Sequence, residues 1–159
     1  MTLNWRHDLT LADVKKVETL CAKTGFFTPA EVTMSGELVE AWLEDGAKSG
    51  YTFIVADMDG EIAGYTCFGA IEGTVSAYDL YWIAVDPSHQ GAGIGRQLLT
   101  RTEAAIKAAA GSRYYAETSS TDKYIPTRQF YIRSGFREVA NIADFYRPGD
   151  GKVIYEKLV

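Results

Sequence analysis

The segment Val85-Asp86-Pro87-Ser88-His89-Gln90-Gly91-Ala92-Gly93-Ile94-Gly95-Arg96 carries the strongest chemical signal in the chain. An apolar run ends at Val85, a proline follows, and glycines recur at 91, 93 and 95 as the helical pattern RQLLTRTEAAIKAAA begins. Glycine takes positive φ at no steric cost and lets backbone approach a ligand that a Cβ would obstruct. The first amides of a helix have no intrahelical carbonyl partner, and the helix dipole adds positive potential there. Such a place binds phosphate through its backbone, and the chemistry implied is pyrophosphate recognition.

Several kinds of loop share these features. A Walker loop ends in Gly-Lys-Ser/Thr, whereas Gly95 is followed by Arg96-Gln97, which excludes it. A dinucleotide fingerprint needs Gly-x-Gly-x-x-Gly within a βαβ unit; here Gly95 comes one residue early and a hairpin pattern precedes it. An ordinary glycine-rich turn is the plain alternative.

The elements around this segment follow from periodicity and turn signals. TLNWRH alternates like a short edge strand, and Leu11, Val14, Val17 and Leu20 recur at helical spacing up to a stop at Gly25. Thr28-Pro29-Ala30-Glu31 has the form of a capping box that opens a helical turn, and a clearer helix is expected from about Ser35 to Lys48. YTFIVAD and EIAGYTCFGAI flank an Asp59-Gly60 hairpin signal. The nearly all apolar VSAYDLYWIAV suits a central strand. After the glycine helix come a strand at RYYAETSS, a short helix at PTRQFYIRSGF, and strands FREVANIADFY and KVIYEKLV around the turn-rich Arg147 to Gly151. The order β-α-α-β-β-β-α-β-α-β-β describes an α/β (α+β) domain of three layers, with helices on both faces of a mainly antiparallel sheet of about seven strands. At 159 residues without repeat or linker, one domain over residues 1–159 is expected.

Bulk properties narrow the partners. Hydrophobic residues make up 47% and charged ones 23%, as in ordinary globular proteins. A net charge of −5 disfavours a nucleic-acid partner, and it is compatible with a cationic amine. No apolar run approaches the ~20 residues that cross a bilayer, and MTLNWRHDL has no signal-peptide pattern. A cytoplasmic location is therefore the default expectation. Cys21 and Cys67 read as small core residues, and His7 with His89 form no metal pair.

The segment Gln90-Gly91-Ala92-Gly93-Ile94-Gly95 matches the Gln/Arg-x-x-Gly-x-Gly/Ala signature of the GNAT superfamily of acyl-CoA-dependent N-acetyltransferases. Phe130-Tyr131-Ile132-Arg133-Ser134-Gly135-Phe136 is similar to that superfamily's Tyr-x-x-x-Gly-Phe segment, and the element order resembles its fold from end to end. The resemblance implies acetyl-CoA as co-substrate, no metal, and direct attack by a primary amine of a small molecule, amino acid or protein. It implies that the amides of Gln90, Gly91, Ala92, Gly93, Ile94, Gly95 and Arg96 hold the CoA pyrophosphate. The backbone of Ile83, Ala84 and Val85 would pair with the pantetheine arm.

Because an alkyl amine titrates near 10.4, attack requires a base. Asp79 is the candidate: it lies an even six residues before Val85 on one strand face, and some relatives carry a glutamate at the corresponding place. The alternative is a carboxylate that only orients the substrate. Tyr131 stands where the family commonly has its general acid, the alternative being a core aromatic. Tyr124 and Thr127 replace the Asn and Ala that many relatives carry seven and four residues earlier. Glu117, Tyr81 and Phe27 are the expected acceptor-binding residues, each with a plain packing or surface alternative. Relatives often dimerise through their C-terminal strands, so the resemblance allows a homodimer. A non-catalytic acyl-CoA-binding module is the competing function.

Overall fold

The computed structural model describes residues 2–159. Its elements are β1 (Leu3–Arg6), α1 (Leu11–Thr24), α2 (Pro29–Asp45), β2 (Thr52–Met58), β3 (Glu61–Ala70), β4 (Ala77–Val85), α3 (Ile94–Ala108), β5 (Arg113–Ser119), α4 (Ile125–Arg133), β6 (Arg137–Arg147) and β7 (Asp150–Leu158). The strands form one seven-stranded sheet in the order β1-β2-β3-β4-β5-β7-β6. β4 pairs in parallel with β5 over Ala77–Asp79, while β1–β2, β2–β3, β5–β7 and β6–β7 are antiparallel. The mixed, mainly antiparallel sheet read from the sequence is therefore present. The chain gathers into two units: the first runs up to Gly69 and includes Tyr81–Thr102, the second comprises Ala70–Leu80 and Glu103–Val159.

In the first unit, β2 and β3 are covered on both faces. Phe53, Val55, Tyr65 and Cys67 pack with Val17, Leu20 and Cys21 of α1 and Val39 of α2. On the opposite face Thr66 Oγ1 lies 2.8 Å from Thr102 Oγ1 of α3. Double coverage explains why β3 is buried from Ile62 to Gly69 and shows no polar alternation. Asp59 and Gly60 both have positive φ (53° and 82°), the backbone a two-residue hairpin demands.

One helix boundary differs from expectation. The Thr28 capping box opens a single helix that continues to Asp45, rather than one turn before a separate helix at Ser35. Glu31 N–H donates to Thr28 Oγ1 and Thr28 N–H to Glu31 Oε1, a reciprocal cap that starts the helix at Pro29. Gly36 faces Glu18 of α1, and a Cβ there would stand 2.9 Å from Glu18 Cγ and make that side chain shift.

The second unit is built on β5 and β7, whose alternation separates two faces. Tyr114, Ala116, Val153 and Tyr155 form a buried face, and α4 packs on it through Tyr131, whose ring centroid is 5.6 Å from that of Tyr155. Arg113, Tyr115, Glu117, Lys152 and Glu156 belong to the other, polar face by register. The expected turn from Arg147 to Gly151 is shorter than anticipated. Arg147 pairs with Asp150, leaving only Pro148-Gly149 at the tip, with Gly149 at φ 82°.

Candidate active site

The glycine loop begins where β4 ends, and the first unit holds it from beneath. Asp86 N–H donates to Ala63 O, and the Asp86 carboxylate accepts from Ser88 N–H (2.8 Å) and Ser88 Oγ (2.7 Å). Lys23 of α1 reaches the same carboxylate at 2.9 Å. Burial opposes ionisation of Asp86, yet the Ser88 and Lys23 contacts outweigh it and hold the carboxyl at about 2. Ile94 is buried and anchors the far end of the loop. Gly64 of β3 makes room there, since a Cβ on it would lie 3.0 Å from Ala84 O and 3.1 Å from Ile94 Cγ2.

Between these anchors Gly91 and Gly93 adopt φ of 84° and 78°. A Cβ at Gly91 would meet nothing within 4 Å, and one at Gly93 only Gln97 Nε2 at 4.0 Å. The space in front of both glycines is therefore open on the protein side. Gly95 departs from expectation. It is the second residue of α3, where helical φ is negative, so it contributes a missing side chain and not a left-handed backbone. The first helical bond of α3 is Gln97 N–H to Gly93 O at 3.1 Å. The amides of Ile94, Gly95 and Arg96 precede it, and they are the helix donors left for a ligand. These amides, the helix dipole and the open glycine surface fit a pyrophosphate.

The neighbouring candidates of this unit divide by role. Ala84 is buried, with Ile83 and Val85 half-buried, so their side chains secure a strand whose backbone runs directly into the loop. Trp82 stacks on Phe27 with centroids 5.1 Å apart, and both pack against the apolar core of this unit. Phe27 thus has a packing role in the structure. Tyr81 is 41% exposed and meets Tyr51 edge-on at 5.5 Å.

In the second unit Tyr131 is 5% exposed, within a ring cluster of Phe130, Phe136 and Tyr155. Gly135 at φ 93° reverses the chain so that Phe136 N–H donates to Tyr131 O and Phe136 returns against Tyr131. Burial, with a smaller effect of Tyr155, raises the Tyr131 phenol well above its ordinary value, so it keeps its proton at neutral pH. Asp79 pairs in register with Tyr115 and so belongs to the polar face, opposite the one on which Tyr131 packs. Asp79 is half-buried, and burial together with Glu117 raises its carboxyl, against the pull of Lys152.

Lys152 is the residue that sequence reasoning missed. Its ammonium lies 2.8 Å from Glu117 Oε2 and 4.2 Å from the centroid of the Phe145 ring. Nothing in the spacing marks it, because the contact depends on the register between β5 and β7. The second unit therefore brings Asp79, Glu117 and Lys152 together, and it sets Tyr131 apart from them on the buried face.

Comparison with known proteins agrees with this architecture. Residues 49–138 match the Acetyltransferase (GNAT) domain family. A crystal structure of a protein from Desulfovibrio desulfuricans, described as of the GNAT family, superposes with a TM-score of 0.97 at 42% identity over 99% of both chains. The paia N-acetyltransferase from Thermoplasma acidophilum, solved in complex with coenzyme A, shares the fold with a TM-score of 0.76 at 16% identity over 100% of both chains. The L-amino acid N-acyltransferase MnaT of Escherichia coli (strain K12) is 36% identical over 64 residues, which span 38% of this chain and 37% of that protein. With its glycine loop, its element order and a family match across more than half its length, this chain belongs to the GNAT acetyltransferases.

Proposed function

We propose that this protein is an N-acetyltransferase that moves an acetyl group from acetyl-CoA to a primary amine. The observation that carries the reading is the loop after β4: two left-handed glycines with open space before them, followed by the unpaired first-turn amides of α3. When bound, acetyl-CoA supplies an activated thioester. In this reading the loop from Gln90 to Arg96 holds its pyrophosphate through the amides of Ile94, Gly95 and Arg96 in front of the open glycines, the Gln90 and Ala92 amides being bonded to Pro87 O and His89 O. In the same reading the backbone of Ile83, Ala84 and Val85 pairs with its pantetheine arm.

The acceptor must lose a proton, because an alkyl ammonium titrating near 10.4 has no free lone pair at neutral pH. Asp79 is the proposed base, acting directly or through water, and its raised proton affinity suits that task. Tyr131, kept protonated by burial, is the proposed donor to the departing sulfur. Tyr81 is the further proposed acceptor contact, whereas Glu117, already paired with Lys152 at 2.8 Å, is not proposed as one. Similarity to a protein named for acylating L-amino acids supports the amino group of an amino acid as one acceptor to try first.

Thermal melting with acetyl-CoA, CoA, ATP and NAD at matched concentrations tests the reading. A ligand at a hundred times its Kd stabilises the folded state by about 2.7 kcal/mol, which for a domain of this size raises the midpoint by roughly 5–10 °C. The expected result is a rise with acetyl-CoA and CoA only, followed by thiol release when amines are supplied. A rise with ATP or NAD and none with CoA would overturn the proposal.

A further inference from the structure

We propose that Lys152 is a positioning residue that leaves Asp79, rather than its neighbour Glu117 on the polar face of the second unit, as the carboxylate open to an acceptor amine. The inference rests on the acetyltransferase reading above and adds to it a residue that neither motif contains.

The geometry is specific. Asp79 on β4 pairs with Tyr115, and Glu117 follows two residues further along β5 on the same face. Two carboxylates so placed compete for any cation that enters, and Glu117 raises the proton affinity of Asp79. Lys152 resolves the competition. It is 16% exposed, its ammonium pairs with Glu117 at 2.8 Å, and the Phe145 ring lies 4.2 Å beneath it. An ammonium held on two sides has little freedom to leave Glu117 for Asp79. Asp79 forms no ion pair and no side-chain hydrogen bond among the described residues.

The remaining charges on this face are already engaged. Glu156 of β7 accepts from Tyr115 Oη at 2.7 Å and from Arg137 of β6 at 2.8 Å, with Arg113 at 3.5 Å. The groups left to act on Asp79 are Glu117 and Lys152, and these are the two whose charges bear on it. Lys152 thus has two effects: it removes Glu117 as a rival ligand for the acceptor ammonium, and it offsets the repulsion by which Glu117 raises the proton affinity of Asp79.

The test compares wild type with Lys152→Met, which keeps the aliphatic stem, and with Lys152→Arg, which keeps the charge. Carboxyl-carbon NMR titration of the ligand-free protein reads Asp79 directly, with no need of turnover. The expected result is an Asp79 midpoint that moves up in Lys152→Met and returns in Lys152→Arg. The acid limb of kcat/KM should move with it, lowering kcat/KM at the foot of that limb roughly three- to tenfold, the span expected for one lost nearby charge.

An Asp79 midpoint that stays in place in folded Lys152→Met overturns the proposal, as does a midpoint that moves while the acid limb does not. Should Lys152→Met fail to fold, Glu117→Gln reads the same coupling, with Asp79 expected to move down and a static midpoint counting against the idea. Asp79→Asn separates the two levels. If it retains full kcat, the base assignment fails regardless of what Lys152 does to the titration.

Discussion

Adding one methyl group to the glycine loop separates its backbone conformation from its proposed contact with CoA. In Gly91→Ala or Gly93→Ala the residue must hold φ of 84° or 78° with a Cβ present, at a cost of about 1–2 kcal/mol. No steric term adds to this within the protein, because nothing stands within 4 Å of a Cβ at Gly91 and only Gln97 Nε2, at 4.0 Å, approaches one at Gly93. The expected fall in melting midpoint is therefore ~2–8 °C for a domain of this size. Gly60 supplies the control: it has φ 82° and equally open surroundings, but it sits on the β2–β3 turn of the same unit. Gly60→Ala should show a comparable midpoint loss and unchanged CoA affinity.

Gly91→Ala and Gly93→Ala should weaken CoA much further, because the methyl occupies the space through which the amides reach the pyrophosphate. Losing one hydrogen bond to a charged group costs roughly 1.5–3 kcal/mol, or about ten- to a hundredfold in Kd. Calorimetric titration with CoA on the three variants provides the comparison. Equal CoA affinity in all three, alongside equal midpoint losses, would refute the assignment of this loop to the cofactor.

Tyr131→Phe should retain CoA affinity and lower kcat by about a hundredfold, within the range for a lost proton donor; unaltered turnover would return Tyr131 to a packing role, and a protein without turnover to lose would be a binding module. Stability should fall in acid through Asp86, whose folded value of about 2 lies below the ordinary 3.8, so its contribution is complete above the ordinary value and disappears as pH drops towards 2. That gap corresponds to about 2 kcal/mol, reduced to ~1 kcal/mol because the Lys23 side chain is 50% exposed. Melting of Asp86→Asn between pH 7 and 2 should show this segment of acid dependence flattened. Arg6→Met should destabilise by about 3 kcal/mol, read by denaturant unfolding, because Arg6 holds Asp13 at 2.7 Å and also pairs with Asp57, and Asp13 is 1% exposed, so its loss strands a buried carboxylate.

Local chemistry determined much of this protein before any folding was known. The Asp59-Gly60 hairpin, the Thr28-Glu31 cap and the loop from Gln90 to Arg96 are legible because each depends on residues within a few positions of one another. The element order followed for the same reason, since periodicity and turn signals act over single segments. The glycine loop is local too: its glycines and the helix start it precedes are adjacent in the chain. Only the tertiary structure decided what lies across strands. The Lys23–Asp86 pair joins residues 63 positions apart, and Gly64 lies close against Ala84 O and Ile94. Phe27 proved to stack on Trp82, and Glu117 proved to be held by Lys152. No spacing rule predicts such contacts, because they depend on the register between strands and on which face of the sheet each helix covers, and both are chosen by the packing of the whole core.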